Sequence, residues 1–273
     1  MELQQDQKYI LAPQRKAPGR RVYLLPASVA LAVLAWYLLA HLGGFPPYLL
    51  PTPGLVLERA IQSIADGSLL RNSLVTLSEV LSGLAIGVVA ATSLGYLLAK
   101  SRSFERFLAP YVVASQSVPV VAIAPLLFIW FGPGLLFKVL ICALIVFFPV
   151  LVNTIVGLRS VPEELHELMR SLQSTRWQTF KYLEAPAALP VFLGGLRIGA
   201  TLSVIGAVVG EFVSADRGLG FLINVGRGQY DTAVVFVAVF ALIFMALALY
   251  GAVVLLEARL LSWRKRPEER AIS

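Results

Sequence analysis

The feature that most limits what this chain can fold into is a succession of apolar stretches long enough to cross a lipid bilayer, set between short polar turns. Residues 22–42, 73–99, 107–130, 135–158, 189–213 and 232–256 are such stretches, and about 20 helical residues span the hydrocarbon core. Inside a bilayer every backbone N–H and C=O must be paired within the chain, so stretches of this length read as helices. The 273 residues are 58% hydrophobic and only 14% charged. A soluble domain has too little polar surface to cover that much apolar area. The sequence therefore predicts an all-α integral membrane protein of about six transmembrane helices.

The parts outside the spans divide the chain. Residues 1–21 hold Lys8, Arg15, Lys16, Arg20 and Arg21 and read as a loose polar tail. Residues 22–42 read as a retained helix rather than a cleaved leader, because the stretch exceeds the usual leader core. Residues 22–71 are thus a first helix and an external connecting segment. The early prolines of that segment bar a regular helix, whereas Leu55, Val56, Ile61 and Ile64 predict a short amphipathic helix from Pro53 onward. Residues 72–257 form the main transmembrane domain, and 258–273 a basic tail. Gly83 and Gly87 have the small-xxx-small spacing that lets helices approach closely, most simply within one chain. Pro119 and Pro125 break the third stretch, and Pro149 lies in the fourth.

Charge orients the bundle. Six spans put both termini on one side, together with the turn 100–106 and the loop 159–186, and this side holds 17 of the 23 Lys and Arg residues. Arg59, Arg71, Lys138, Arg217 and Arg227 fall on the other side, and Arg197 within the fifth span. The positive-inside rule then predicts cytoplasmic termini. The net charge of +7 is on this reading a topology signal, and no nucleic-acid partner is expected.

The chain has no phosphate loop, nucleophile elbow or H-E-x-x-H motif. His41 and His166 have no metal-site spacing, and Cys142 reads as a small core residue. No catalytic, metal or cofactor residues are therefore expected. Glu79, Arg197 and Glu211 are the ionisable residues nearest the membrane interior. Charges there are often functional, but these lie near predicted span ends, where snorkelling is an alternative. Gln116, Ser117, Asn153, Ser203 and Glu211 are candidates for a translocation path or gate, with interhelical hydrogen bonding as the competing use.

The loop 159–186 carries the strongest pattern. Pro162, Glu163 and Glu164 make a helix start. Leu165, Leu168, Met169 and Leu172 share one helical face. Ser174 or Thr175 can cap a second short helix bearing Trp177, Phe180, Tyr182 and Leu183, which Pro186 ends. Two short helices meeting at a bend, with exposed apolar and aromatic area, predict a docking surface for a protein partner. Packing on the chain's own spans is the alternative.

This loop resembles the EAA loop of ABC importer permeases. Glu167 stands at the glutamate, Leu168 and Met169 at the alanines, Gln173 at the glycine, and Leu183-Glu184-Ala185-Pro186 at the closing hydrophobic-x-hydrophobic-Pro. Leu-Met for Ala-Ala and Gln for Gly are departures. The resemblance extends over about residues 50–257, through LLPTPGLV, SQSVPVVAIAPLLFIWFGPGLLFKVL, FFPVLVNTIVGLRSVP and GAVVGEFVSADRGLGFLI. It is to the nitrate, sulfonate, taurine and bicarbonate branch, and within it to permeases for riboflavin or thiamine-precursor pyrimidines.

The resemblance implies a type I ABC importer permease fold in the cell membrane, in a permease homodimer surrounded by lipid. It implies a pair of cytoplasmic ABC ATPases that bind ATP and an external solute-binding protein. Glu163, Glu164, Glu167 and Arg170 would meet charges of the ATPase, Leu168, Leu172 and Trp177 would fill its groove, and Gln173 and Pro186 would shape the loop. A secondary transporter is the alternative of a different class. It would need an internal repeat and coupling ions, and the sequence offers no clear repeat.

Overall fold

The computed structural model describes residues 24–265, and the two basic tails largely fall outside them. The chain divides into two units, Met1–Leu55 and Val56–Ser273.

In the first unit, α1 (Leu24–Leu42) is a 19-residue helix that is apolar all round. Its Val29, Leu31 and Leu39 are exposed, as befits a helix facing lipid tails. The following segment folds back, and the Trp36 indole N–H donates to the Pro51 carbonyl at 3.1 Å. Helix α2 (Pro53–Ala65) begins at the proline expected to start it.

The second unit is a bundle. Helices α3 (Ser68–Lys100), α4 (Arg102–Gln116), α5 (Val120–Phe131) and α6 (Leu135–Arg159) are followed by the short α7 (Glu163–Ser171) and α8 (Arg176–Thr179). Helices α9 (Ala185–Val213), α10 (Leu219–Gly228) and α11 (Thr232–Leu260) complete it. Among the described residues, four helical stretches are long and apolar enough to cross a membrane: Ser68–Lys100, Leu135–Arg159, Arg176–Val213 and Thr232–Leu260. The shorter apolar helices are Ala27–Leu42, within α1, and Val120–Phe131.

The third expected span, 107–130, is two helices rather than one. α4 has 15 residues and α5 has 12, each shorter than a bilayer crossing. The break lies at Ser117–Pro119. Pro119 has no N–H to donate, and its ring pushes the preceding residue out of helical geometry; Pro119 itself is extended, at φ −63° and ψ 120°. Pro125 stands inside α5 without ending it.

Helix α6 is the centre of the bundle, clasped between α3 and α9. The clasp rests on glycines that leave no room for a side chain. A Cβ on Gly83 of α3 would collide with Cys142 of α6, and one on Gly206 of α9 would lie 2.8 Å from the Cys142 Cα. Cys142 is completely buried with Val80, Val204, Ala207 and Leu219. The Gly83–Gly87 pair thus packs within the chain, Gly87 lying against Ala143 and Val146 of α6.

Helix α11 starts at Asp231, whose carboxylate accepts from the Val234 N–H at 3.2 Å as an N-cap. The same carboxylate is ion-paired with Arg59 of α2. Asp231 thus both caps the last long helix and ties its start to α2.

Candidate coupling surface and buried polar network

The loop 159–186 folds as the short helix α7 and, after a tight bend, α8. Helix α8 is not ended by Pro186 as expected but runs on through residues 180–184 into α9 as one helical stretch, Arg176–Val213. α7 follows Pro162, with Glu163 and Glu164 in its first turn and Arg170 in its last, each sign favourable to the helix dipole. Its apolar residues stay uncovered: Leu165 is 42% exposed, Leu168 54% and Leu172 67%, with Trp177 of α8 at 67%. Glu164 and Glu167 are exposed as well. Glu163 and Arg170 pair with each other at 3.0 Å across one face of α7. Both are solvated, so the pair adds little stability and is free to exchange partners.

The bend is a Schellman motif. The Ser174 N–H donates to the Met169 carbonyl at 3.0 Å and the Gln173 N–H to the Arg170 carbonyl at 2.9 Å. Gln173 sits at the left-handed position, φ 54°. This is the seat of the glycine in the resembled motif, so the departure leaves the bend intact at the expense of local backbone strain. Gln173→Gly is expected to stabilise the bend by about 1 kcal/mol, read as slower amide exchange over 168–176. Unchanged or faster exchange would count against strain at this position. Thr175 then caps α8 through a reciprocal capping box with Gln178.

Phe180–Glu184 forms a π-helical turn leading into α9, and the Ala185 N–H reaches back to the Phe180 carbonyl. Pro186, in the first turn of α9, has no N–H to continue an ordinary ladder. Glu184, within this turn, is 2% exposed. It is ion-paired with Lys100 at the end of α3, and His166 Nε2 of α7 lies 3.3 Å from it. It thus ties α7 and α3 to the start of α9. Sequence reasoning missed this role of Glu184 and saw in His166 only the lack of metal-site spacing. The available signal was a carboxylate among apolar residues immediately before the Ala-Pro pair.

A second polar cluster lies toward the other end of the same helices. At the start of α10 the Gly218 N–H donates to Asn72 Oδ1 at 2.7 Å, and the Leu219 N–H to Thr76 Oγ1 at 2.8 Å. The Gly220 N–H donates to Glu211, which also accepts from the Thr76 hydroxyl at 2.6 Å. Three N–H groups that a helix start leaves unpaired are thus received by side chains of α3 and α9. Glu211, 1% exposed, is here a cap on α10.

Beside it Lys138 of α6 donates to Glu79 of α3 at 2.9 Å, with side chains 7% and 1% exposed. This corrects two expectations. Glu79 does not snorkel, and Lys138 is not an external surface charge, because the two residues neutralise each other inside the helix packing. Arg197 pairs with Glu257 of α11, and its guanidinium lies 5.4 Å from the Tyr250 ring centroid.

The remaining path candidates are dispersed. Gln116 ends α4, and its side chain lies outside the described residues. Ser117 lies in the α4–α5 break, its N–H donating to the Ala114 carbonyl at 3.1 Å. Asn153 is half-buried beside Gly195, and its amide donates to the Pro149 carbonyl at 2.8 Å. Ser203 is fully buried, and its hydroxyl donates to the Ala200 carbonyl of its own helix.

Comparison with known proteins gives this arrangement a context. The family described as "Binding-protein-dependent transport system inner membrane component" matches residues 83–262. The chain is 47% identical to the "Riboflavin transport system permease protein RibX" of Chloroflexus aurantiacus, over 88% of this chain and 89% of that protein. It is 37% identical to the "Formylaminopyrimidine transport permease protein ThiX" of Halalkalibacterium halodurans, over 86% and 93%. It is 30% identical to the "Taurine transport system permease protein TauC" of Escherichia coli, over 90% and 91%. Among solved structures, inward-facing MetNI methionine ABC transporter is similar, with TM-score 0.63 and 20% identity over 72% of this chain and 97% of that one. An amino acid ABC transporter crystallised with histidines is also similar, with TM-score 0.59 and 18% identity over 72% and 96%.

Proposed function

The chain belongs to the family of binding-protein-dependent transport system inner membrane components, and from that premise we propose how its parts share the work of import. It is the permease subunit of an ABC importer, with the type I fold, and lies in the membrane. It is a transport subunit and not an enzyme. Our reading is that ATP is bound and hydrolysed by a separate pair of cytoplasmic ATPases, that two copies of this chain form the pore, and that an external binding protein delivers the solute.

The observation that carries the coupling role is the uncovered face of α7 and α8. Leu168, Leu172 and Trp177 lie exposed beside Glu163, Glu164, Glu167 and Arg170, while Glu184 fixes the base of the loop to α3. A rigid base with an apolar, charge-rimmed tip is suited to receive a partner and pass on its movement. Closure of the ATPase pair on ATP would push α7 and bias the bundle toward its outward-open state. Such a bias requires a preference of several kcal/mol for one state. The charge split supports cytoplasmic termini on the same side as this loop. A fluorescent protein fused after Ser273 is then expected to mature and fluoresce in cells, and a dark but stable fusion would reverse the topology.

For the solute we favour riboflavin, with a thiamine-precursor pyrimidine second, on the 47% and 37% identities to permeases named for riboflavin and formylaminopyrimidine. Sulfonate, taurine, nitrate or bicarbonate is the other reading within the branch. The test is uptake of labelled riboflavin, formylaminopyrimidine and taurine by cells carrying the chain with its ATPase and binding protein. Saturable riboflavin uptake that needs this chain supports the proposal. Uptake of taurine without riboflavin or the pyrimidine would overturn it.

A further inference from the structure

His166 of α7 is held between two groups that can only accept hydrogen bonds. Its Nε2 lies 3.3 Å from Glu184 Oε1, and its Nδ1 3.4 Å from the Pro162 carbonyl oxygen at the start of the same helix. A carbonyl oxygen has no proton to give. Glu184 Oε1 has none either, because it already accepts from the Lys100 ammonium. A neutral imidazole carries one N–H and one lone pair, so it sets that lone pair against an oxygen on one side or the other. Imidazolium donates from both nitrogens, and it is the form that this setting fits.

The charges around the ring are otherwise matched. His166 borders a cavity of about 420 Å³ together with Lys100 of α3, Arg159 of α6, Glu163 and Arg170 of α7, and Glu184 of the π-helical turn. Arg159 is ion-paired with Glu105 of α4, Arg170 with Glu163, and Lys100 with Glu184. Histidine is the side-chain type whose charge ordinarily changes near neutral pH. The His166 side chain is 22% exposed, so protons from solvent reach it.

We propose that His166 is a positioning residue for coupling, whose proton straps α7 to the base of the loop. The proposal rests on α7 as the coupling element and adds a control to it. While the imidazole is charged, both bonds are present and the ring joins Pro162 to Glu184. As the pH rises and the proton leaves, one bond is lost and a lone pair faces an oxygen. Glu184 is not stranded by that loss, because Lys100 keeps it paired. The tie from α3 to the start of α9 is thus permanent, and the tie to α7 is conditional. Alkaline conditions on the loop side loosen the coupling helix without unfolding the bundle, and import slackens.

The test follows amide exchange over α7, divided by the intrinsic rate at each pH, in the full-length chain in phosphatidylcholine nanodiscs. Protection of α7 is expected to fall about threefold between about pH 5.5 and about pH 8, while α3 and α9 keep theirs. The chain has two histidines, His41 and His166. Their imidazole Cε1–H resonances, assigned with His166→Phe, show which ring the loss follows. His166→Phe keeps a ring without donors and is expected to leave α7 loose at every pH. His166→Arg keeps a permanent cation, is expected to hold α7 at every pH, and serves if His166→Phe folds poorly. Equal protection at both ends of the range, a pH response that persists in either variant, or a loss that follows His41 overturns the proposal. In the complete importer, ATP hydrolysis relative to His166→Arg cancels the ATPase's own pH dependence and is expected to fall about threefold over the same range. The two readings fail separately. A pH-dependent α7 with a flat hydrolysis ratio removes α7 from coupling and leaves the strap. Loss of uptake in Leu168→Asp, with no pH response of α7, removes the strap and leaves the coupling.

Discussion

Lys138→Met is expected to destabilise the bundle by roughly 3–5 kcal/mol and to leave little folded chain in the membrane, because it strands a buried carboxylate. Glu79 is 1% exposed, and one of its oxygens, Oε2, already lacks a hydrogen-bond partner among the described residues. The other oxygen is held by Lys138 at 2.9 Å. Gly210 of α9 lies against the Lys138 Cα, Cβ and Cγ, so the stem of the side chain is packed on α9 while its ammonium reaches Glu79 of α3. Glu79→Leu should be comparably harmful, since it strands the ammonium instead. Combined, Glu79→Leu and Lys138→Met should recover part of the loss, because an apolar pair of similar volume removes both desolvation penalties, while the neighbouring buried Glu211 keeps the Thr76 and Gly220 donors and loses the nearby cation. Thermal melts of the detergent-solubilised chain, set out as a double-mutant cycle, measure this. Additive losses in the double variant would refute the pairing.

The second large effect concerns the loop. Leu168→Asp is expected to lower ATP-driven uptake by at least about thirty-fold, the equivalent of a 2 kcal/mol interface hot spot, while leaving the melting temperature unchanged. The side chain is 54% exposed in the chain alone, so a charge there disturbs no internal packing. In a complex the same position would be covered, and a new carboxylate would be buried without a partner. Glu167→Arg tests the charged rim, and Trp177→Ala the aromatic tip. Purifying each variant with the ATPase separates loss of association from loss of chemistry. Association and uptake untouched by all three substitutions would remove the loop from coupling.

How much could be read from the sequence follows the range of the interactions. The spans were legible because hydropathy is a local property, and α3, α6, α9 and α11 lie within a few residues of the expected bounds except where they extend past the apolar core. Pro119 marked the α4–α5 break, although the sequence expected a broken span there and not two short helices. Helix α7 and the bend were legible from Pro162, the Leu165, Leu168 and Leu172 face, and the Thr175 cap, whereas the run of α8 past Pro186 into α9 was not. What escaped was pairing across distance. Glu79 and Lys138 are 59 residues apart, and Asn72 is 146 residues from the Gly218 N–H it accepts. Nothing local distinguishes a buried partner from a surface charge, so Lys138 passed for a topology signal. Glu184 was hidden for a related reason, since a π-helical turn at 180–184 sets its direction.

The glycine seams on either side of α6 have a mechanical consequence. Where backbones touch, as at Gly83 and Gly206 around Cys142, no long side chain is present to flex and absorb a displacement. Close-packed interiors of this kind have low compressibility. Glu184 and Glu211 mark the two ends of α9, roughly 40 Å apart at 1.5 Å per residue. One anchors the base of the loop and the other clamps the start of α10. A stroke received at one end of so stiff a strut arrives at the other with little attenuation. The compliant point is then the Pro119 break, where neither helix is long enough to span, and there the bundle should hinge.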